Sequence, residues 1–202
     1  MFTGIVQSSG QIIKIVKSVN FQRYAVIFPR KILAELALGA SVAHNGCCLT
    51  VTSIDDNIVW FDLMQVTLAL TNLGQLKVGE RINVERAAKF GDEIGGHCMS
   101  GHITCMADIV EVIKTESAYQ IWIEVPSNTT KYVLEKGYIG IDGISLTIGK
   151  IKKNHFCVNL IPETLQRTNI GRRQVGDKLN IEIDPQTQAV VDTVERVLAA
   201  KN

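Results

Sequence analysis

Two stretches of the chain, "HNGCCLTV" at 44–51 and "IDGISLTI" at 141–148, share one outline. Each has a Gly-containing turn followed by a run of β-branched and apolar residues that is typical of a strand. The two stretches differ in sulfur, because Cys47 and Cys48 occur only in the first. The same element therefore occurs twice, with a chemical difference between the copies.

The similarity between these stretches extends over nearly the whole chain. A single shift of 97 positions, without a gap, places Gly4 on Gly101 and "KVGERINVE" at 77–85 on "QVGDKLNIE" at 174–182. Self-similarity at a fixed period is the signature of a repeated structural unit. The chain is therefore predicted to contain two homologous domains.

The boundary between the two units is predicted near "KFGDEIGGH" at 89–97, where three glycines and mixed charges interrupt the apolar pattern. We therefore expect a first domain at 1–97 and a second at 98–186. The final segment, 187–202, has no counterpart in the first half. It is expected to form a separate C-terminal helix.

Within each half, short runs of β-branched and aromatic residues alternate with Gly, Asn or Asp turns, as in "RYAVIF" and "NIVWFDLM". This spacing predicts a small closed barrel, so the fold class is mainly β. Two helical pieces are predicted to interrupt each half. These pieces lie at 30–38 and 129–137, and at 67–74 and 164–171.

The C-terminal segment is predicted to be an amphipathic helix that begins at Pro185. Its apolar residues recur on one helical face. They are Val190, Val191, Val194, Val197 and Leu198. This stripe is expected either to pack on the chain's own barrel or to join a helical bundle in an oligomer.

Composition excludes several functional classes. The chain has 202 residues, 46% of them hydrophobic, and a formal net charge of +1, so nucleic acid or anionic lipid is not an expected partner. The N-terminus lacks a signal pattern and no stretch is long and apolar enough to span a membrane, so we expect a cytoplasmic protein. Five cysteines without a C-x-x-C pair argue against a disulfide framework and a zinc ribbon.

Several motifs together resemble the riboflavin synthase family, whose members carry a lumazine-binding repeat. They are "MFTGIV", "VAHNGCCLTV", "GGHCMSGH", "GIDGISLT", "LIPETLQRT" and "NIEIDPQTQAV", and they cover the whole chain. The resemblance implies two tandem six-stranded Greek-key β-barrels and a C-terminal helix that holds a homotrimer. It also implies active sites between the first barrel of one subunit and the second barrel of a neighbour.

The implied reaction transfers a four-carbon unit between two molecules of 6,7-dimethyl-8-ribityllumazine. The products are riboflavin and 5-amino-6-ribitylaminouracil, the reaction being the last step of riboflavin biosynthesis. It requires no redox cofactor and no metal, and the chain has no G-x-G-x-x-G fingerprint after a strand. Association with lumazine synthase is left open.

The resemblance also implies which residues bind the substrate. In the first half these are expected to be Gly4, Ile5, Val6, Ser41, Cys48, Leu49, Thr50, Asp62, Leu63, Met64, Gln65, Val66 and Thr67. In the second half they are expected to be Gly101, His102, Lys136, Ser145, Leu146, Thr147, Ile161, Pro162, Glu163, Thr164, Leu165 and Gln166. Glycines let the backbone approach a flat ring, and hydroxyl groups can bind its edge or the ribityl chain.

Five residues are candidates for catalysis. His102 is the hypothesised base, because a neutral imidazole titrates near working pH. Cys48, or a water, is the hypothesised nucleophile on the acceptor ring. Ser145 and Thr147 are expected to polarise the bound ring and to stabilise developing negative charge. Asp184 is an ordinary helix-start residue by composition, and by resemblance it orients a proton-transfer group.

Each of these residues also has a structural interpretation. A buried cysteine is more often a small hydrophobic residue than a nucleophile, and Cys47 and Cys48 should point to opposite faces of a strand, so at most one enters a pocket. His97 is interpreted as a structural histidine. A metal site at His97, Cys98 and His102 is rejected, because no further ligand pair with typical spacing is present.

Two other functions remain open at this point. Relatives of the enzyme that have the same duplicated barrels serve as fluorescent carriers of lumazine or flavin, and such a carrier needs only one good pocket. A barrel-type flavoreductase or a purely structural module is the second alternative. Consumption of added lumazine would distinguish the enzyme from the carrier, and flavin with nicotinamide oxidation would indicate the reductase.

Overall fold

In the computed structural model, which describes residues 1–201, twelve strands form two closed antiparallel barrels. The first barrel consists of β1 (Ser8–Lys17), β2 (Phe21–Ile27), β3 (Ser41–His44), β4 (Cys47–Asp55), β5 (Ile58–Met64) and β6 (Arg81–Arg86). The second consists of β7 (Cys105–Lys114), β8 (Tyr119–Glu124), β9 (Tyr138–Ile141), β10 (Ile144–Lys152), β11 (His155–Asn159) and β12 (Lys178–Ile183).

Both barrels have the same strand order. Around the first barrel the order is β1-β2-β5-β4-β3-β6, and the corresponding strands of the second barrel follow the same order. The strands β1, β3, β4 and β6 begin and end 97 positions before β7, β9, β10 and β12. The predicted mainly β fold with two homologous barrels is therefore confirmed.

The Asn-Gly and Asp-Gly pairs of the repeated stretches form the turns β3–β4 and β9–β10. Asn45 and Gly46 have φ values of 44° and 82°, and Asp142 and Gly143 have 45° and 79°. Positive φ at both central residues matches a two-residue type I′ hairpin. The two turns meet back to back, since a Cβ on Gly46 would lie 2.7 Å from the nitrogen of Gly143.

Buried amide side chains join the two barrels around these turns. Asn180 Oδ1 accepts a hydrogen bond of 2.7 Å from the backbone N–H of Asn72. At the equivalent place in the repeat, Asn83 Oδ1 accepts a bond of 2.8 Å from the N–H of Asn169. These paired bonds satisfy polar groups that would be costly to bury alone.

The symmetry of this network fails at one pair of residues. Asn45 Nδ2 donates to Asn72 Oδ1 at 3.1 Å, but the equivalent residue, Asp142, has no amide to donate. Asn169 Oδ1 is consequently buried without a hydrogen-bond partner. Arg173 instead donates from Nη2 to Asp142 Oδ2 at 2.8 Å and compensates the buried charge.

The helices are shorter than the sequence suggested. They are α1 (Arg30–Leu33), α2 (Gln65–Leu70), α3 (Pro162–Arg167) and α4 (Pro185–Ala199), with 3₁₀ turns at Asn72–Gln75, Ser127–Tyr132 and Ile170–Arg172. The predicted helices at 30–38 and 129–137 were wrong in extent. Glu35 and Lys136 have φ of 58° and 65°, a left-handed conformation that no α-helix continues through.

Helix α4 contacts the second barrel with its polar face. The hydroxyl of Tyr132 donates to Asp192 Oδ1, and Lys131 forms an ion pair with Glu195. The apolar stripe remains exposed, with Val190 at 64% and Val194 at 52%. The stripe therefore does not pack on the chain's own barrel.

None of the helices described in residues 1–201 has the length and apolar character needed to cross a membrane.

Candidate active site

Two short segments that precede the barrels bring the candidate residues together. We name residues 2–6 the first arm and residues 99–103 the second arm. The arms pair at their bases, where Phe2 N donates to Met99 O at 2.8 Å and Met99 N donates to Phe2 O at 2.9 Å. From this bridge the arms continue to opposite barrels.

The second arm enters the first barrel. Gly101 O accepts a hydrogen bond of 2.8 Å from the backbone N–H of Cys48 on β4, and Ile103 packs in the core of the first barrel. A small cavity of about 210 Å³ lies here, lined by Cys48, His102 and Thr67 among others. The candidate nucleophile and the candidate base thus share one cavity.

The first arm makes the equivalent contacts with the second barrel. Gly4 O accepts a hydrogen bond of 2.8 Å from the backbone N–H of Ser145 on β10, and Val6 packs in the core of the second barrel. The contacts thus differ from the grouping by halves that the sequence suggested: Gly4 to Val6 accompany Ser145, and His102 accompanies Cys48. Alignment by a shift pairs equivalent residues, and it cannot show that the arms exchange.

Cys47 and Cys48 point to opposite sides of β4, as a strand requires. Cys47 is buried with the first barrel's core, and burial raises the pKa of its thiol to about 12. Cys48 is half-buried at the cavity. Both cysteines line the cavity, but Cys48 is the more exposed of the two, so its thiol is the more accessible to a ligand.

A second cluster, at Ser145, contains a histidine that the sequence interpretation took as structural. His97 Nδ1 lies 2.6 Å from Ser145 Oγ, and the His97 ring stacks on Tyr138 with a centroid distance of 5.1 Å. His97 is buried, and burial lowers the pKa of its imidazole, while the charge of Asp184 acts in the opposite direction. Burial therefore favours the neutral form of this imidazole.

The sequence contained little signal for these contacts of His97. The shift of 97 pairs the first residue of the chain with residue 98, so His97 has no equivalent in the first half. The unequal pairs Cys48 with Ser145 and Ser41 with Tyr138 were the available signal, because both second-half residues contact His97.

The other catalytic candidates lie in different environments. His102 is exposed at the mouth of the Cys48 cavity, and Thr147 is exposed on β10. Asp184 caps α4 by accepting hydrogen bonds from the backbone N–H groups of Gln186 and Thr187. The helix-start interpretation of Asp184 is thus realised, and its charge also acts on His97.

Most of the remaining candidate residues are exposed or half-buried, and of these Val66 and Thr67 line the Cys48 cavity. Exposed members are Ile5, Thr50, Met64, Gln65, Val66, Lys136, Ile161, Pro162, Glu163 and Gln166, and half-buried members are Ser41, Leu146, Thr164 and Leu165. Leu49 and Leu63 have their side chains in the first core. Only the backbone of these two leucines can therefore line a pocket.

Asp62 shows how the repeat alters charge at equivalent places. Its carboxylate accepts two hydrogen bonds from Arg23, at 2.6 and 2.9 Å. In the second half, Asn159 Oδ1 instead accepts one bond of 2.9 Å from Gln120. The first half thus has an ion pair where the second half has two neutral amides.

Comparison with protein families assigns both halves to one family. The lumazine binding domain matches twice, at residues 3–87 and 100–184. The chain belongs to the lumazine-binding domain family. Both matches begin within the arms and end after the last strand of each barrel, so each matched segment consists of an arm and the barrel that follows it in the chain.

Curated proteins that are similar over nearly the whole chain have different names. The chain is 59% identical to riboflavin synthase of Escherichia coli strain K12 over 202 residues, which is 100% of this chain and 95% of that protein. It is also 42% identical to the yellow fluorescent protein of Aliivibrio fischeri over 190 residues, 94% of this chain and 98% of that protein.

Solved structures show the same fold with a ligand. The crystal structure of LumP complexed with 6,7-dimethyl-8-(1'-D-ribityl) lumazine has a TM-score of 0.82 and 31% sequence identity. It covers 91% of this chain and 99% of that chain. The paired lumazine-binding domains therefore belong to a fold that holds this ligand in LumP.

Proposed function

We propose that the chain is a transferase of the riboflavin synthase type. It converts two molecules of 6,7-dimethyl-8-ribityllumazine into riboflavin and 5-amino-6-ribitylaminouracil by moving a four-carbon unit. The 59% identity to the Escherichia coli enzyme over the full chain supports this function. A duplicated domain suits a reaction between two identical molecules, because related pockets can orient the two rings toward each other.

The observation that carries the proposal is the chemical inequality of two equivalent places. Cys48 with His102 occupies one, and Ser145 with His97 occupies the other. A carrier needs affinity for a ring, but a dismutase must treat two identical rings differently. The different groups at these two places support a function that treats the two rings differently.

The Ser145 cluster is suited to removing a proton. The methyl group at position 7 of lumazine can lose a proton to give a conjugated anion. Neutral His97, at 2.6 Å from Ser145 Oγ, can accept the hydroxyl proton while Ser145 Oγ accepts the methyl proton. We assign the lumazine that attacks as a carbanion to the second barrel, with Thr147 as a hydrogen-bond donor to the ring.

The Cys48 cavity is suited to the second lumazine, whose position 7 is electrophilic. Cys48 or a water adds to that carbon, and His102 at the cavity mouth exchanges the accompanying proton. The exposed candidate side chains of the first domain enclose the ring and the ribityl chain. No step in this scheme requires a metal or a redox cofactor.

One chain supplies only part of a site. The cavity beside Cys48 has about 210 Å³, which is below the range of about 300–1,000 Å³ for ligand pockets. A neighbouring copy that contributes its second barrel would complete the enclosure. The exposed stripe of α4 provides a surface for such an assembly, and we propose a homotrimer held by this helix. A cytoplasmic location and association with lumazine synthase stay predictions.

The test is an absorbance assay of purified protein with 6,7-dimethyl-8-ribityllumazine and no other additive. We expect one riboflavin to appear for every two lumazines consumed. If lumazine stays bound and fluorescent without being consumed, the protein is a carrier and not an enzyme. One of its relatives is named a yellow fluorescent protein.

Variants assign the residues within the same assay. We expect Ser145→Ala and His97→Gln to lower kcat by about 100-fold or more, the range of general base catalysis. Cys48→Ser and His102→Gln measure, in the same assay, how much kcat depends on the two side chains of the Cys48 cavity. His155→Gln is the matched control for the histidine changes, because His155 lies on β11 beside Glu124, at 3.6 Å.

A further inference from the structure

Two buried carboxylates hold the arms. Glu85 on β6 is 3% exposed and Glu182 on β12 is 1% exposed. Neither forms an ion pair with a cation among residues 1–201. Burial raises the pKa of both carboxyl groups, and hydrogen bonds from the arms oppose that change.

The hydrogen bonds of Glu182 all go to the second arm. Glu182 Oε1 accepts from Ser100 N at 2.6 Å and from Ser100 Oγ at 2.8 Å. Glu182 Oε2 accepts from Gly101 N at 3.1 Å. The carboxylate therefore fixes the backbone of the arm immediately before His102.

The bonds continue from the arm to both candidate groups of the first cavity. Ser100 Oγ accepts a hydrogen bond of 3.1 Å from His102 N, and Gly101 O accepts the bond from Cys48 N at 2.8 Å. The fit is close, because a Cβ on Gly101 would lie 2.6 Å from Cys48 Cβ. A small displacement of this arm would thus move His102 relative to the Cys48 thiol.

Glu85 makes the same set of bonds to the first arm. It accepts from Thr3 N at 2.6 Å, from Thr3 Oγ1 at 2.8 Å and from Gly4 N at 3.1 Å. Gly4 O in turn accepts a hydrogen bond from Ser145 N, and Thr3 O accepts one of 3.1 Å from His97 N. Glu85 is thus connected through the first arm to the backbone of both members of the His97 and Ser145 cluster.

Burying a carboxylate without a cationic partner destabilises the folded state, so holding a loop in this way needs an explanation. Desolvation of the carboxylate is costly, and an apolar residue of similar volume would pack at lower cost. A carboxylate differs from an apolar residue because its charge-assisted hydrogen bonds fix the orientation of the N–H groups that donate to it. The neighbours of Glu182 on β12, Ile181 and Ile183, are apolar and give no such constraint.

We infer that Glu182 is a positioning residue for the Cys48 and His102 cavity, and that Glu85 is a positioning residue for the His97 and Ser145 cluster. Each carboxylate acts through an arm, and each serves the barrel to which it does not belong. The effect on turnover rests on the proposed function. The effect on the exposure of Cys48 does not.

The experiment compares Glu182→Gln with its matched variant Glu85→Gln in a protein that carries Cys98→Ser, so that exposed Cys98 is absent. Three quantities are measured: kcat, KM and the rate at which N-ethylmaleimide alkylates Cys48, followed by mass analysis of its peptide. Each variant replaces one acceptor oxygen with an NH2 donor, so both disrupt the same hydrogen-bond pattern at equivalent positions. They differ only in which cavity depends on it.

We expect both variants to lower kcat by about ten-fold or more, the loss expected for one hydrogen bond to a charged group, with a smaller change in KM. Only Glu182→Gln should raise the alkylation rate of Cys48, again by about ten-fold. Equal alkylation in the two variants would overturn the inference, and so would an unchanged rate in Glu182→Gln.

A milder pair of changes covers the case in which a glutamine variant fails to fold. Ser100→Ala removes one bond to Glu182 and the acceptor of His102 N, and Thr3→Ala is its matched variant at Glu85. Ser100→Thr keeps the hydroxyl that the first half uses at Thr3, so it should restore both kcat and the slow alkylation. Failure of Ser100→Thr to restore either quantity, where Ser100→Ala has changed it, would contradict a positioning role.

The outcomes separate this inference from the proposed function. If the unmodified protein never forms riboflavin, the proposed transferase function is wrong. The alkylation difference between the two glutamine variants would nevertheless persist if Glu182 positions the second arm. Active protein with no such difference would leave the transferase in place and remove the positioning roles.

Discussion

Asp142 is the residue at which the two halves differ most in buried charge. It is completely buried, and it stands where the first half has Asn45, so Asn169 Oδ1 has no donor. Its Arg173 partner is 23% exposed at the side chain. The second half therefore has a buried ion pair where the first half has a hydrogen bond between two side-chain amides. A buried ion pair often stabilises a protein no more than uncharged groups of the same volume.

We predict that Arg173→Leu destabilises the protein by about 3–5 kcal/mol, because it leaves the Asp142 charge buried without its cation. Leucine is the equivalent residue, Leu76, in the first half. Adding Asp142→Asn should recover most of that loss, since the new amide can donate to Asn169 Oδ1. Urea unfolding of the single and double variants checks this, and additive effects would contradict the coupling.

His44 gives the first barrel a pH dependence that the second barrel lacks. Its Nδ1 lies 2.6 Å from the hydroxyl of Tyr24, and burial lowers the pKa of the imidazole from 6.5 to about 3. Below pH 6.5, His44 is protonated in the unfolded chain but stays neutral in the folded chain. The stability contribution is therefore complete above pH 6.5 and is lost as pH falls toward 3.

We expect the free energy of unfolding to fall by about 2 kcal/mol between pH 7 and pH 5 because of His44 alone. The comparison is a variant with His44→Ile and Tyr24→Phe, in which no buried hydroxyl loses its partner. Ile141 occupies the equivalent place of His44 in the second half. Equal pH dependence in both proteins would show that another group is responsible.

At the scale of elements, the two hairpin turns matter more than their length suggests. Gly46 needs a positive φ and also lies against the backbone of Gly143. Gly79 has a positive φ of 95° but has no atom within 4 Å of an added Cβ. The two glycines thus separate the cost of a backbone conformation from the cost of a close approach.

Gly46→Ala should therefore destabilise the protein by more than Gly79→Ala. The conformational part is about 1–2 kcal/mol for both, and the close approach should add at least as much again to Gly46→Ala, because backbone must move on both sides. Chemical denaturation of the two variants measures the difference. Equal losses would mean that the turns can separate without cost.

The elements also show what the repeat could and could not predict. The barrels followed from short strand runs and from the shift of 97, and most equivalent strands share their bounds. Helix α1 ended early, since nothing in "RKILAELAL" indicates the left-handed Glu35. The exchange of arms was beyond prediction, because a repeat equates residues across halves and does not state which copies touch.

For the candidate site, the chemical difference between Cys48 and Ser145 was predictable, because it is visible in the aligned stretches. His97 was not, because it has no aligned partner and its role depends on the contacts with Ser145 and Tyr138. A histidine that follows two glycines gives no local indication of burial. Only the fold of the linker against the first arm buries it.

At the scale of the whole molecule, the exposed stripe of α4 predicts the assembly. Val194→Glu should convert the proposed trimer to a monomer, because three copies would bury the added charge together. Val19→Glu is the control, since Val19 lies between β1 and β2 and is 93% exposed. Sedimentation reports the mass, and a Val194→Glu protein that keeps the mass of the unmodified protein would exclude α4 as the contact.

The exchange of arms has a consequence for synthesis on the ribosome. All six strands of the first barrel are complete once Arg86 has emerged, but Ile103 and the carbonyl of Gly101 are made later, and Glu182 later still. During this time Val6 has no core to pack in, because the second barrel has not yet been made. The nascent chain therefore has an unfilled place in its first barrel until Ile103 has been made, and Val6 stays unpacked until the strands of the second barrel have followed. In this interval a chaperone would find apolar surface to bind.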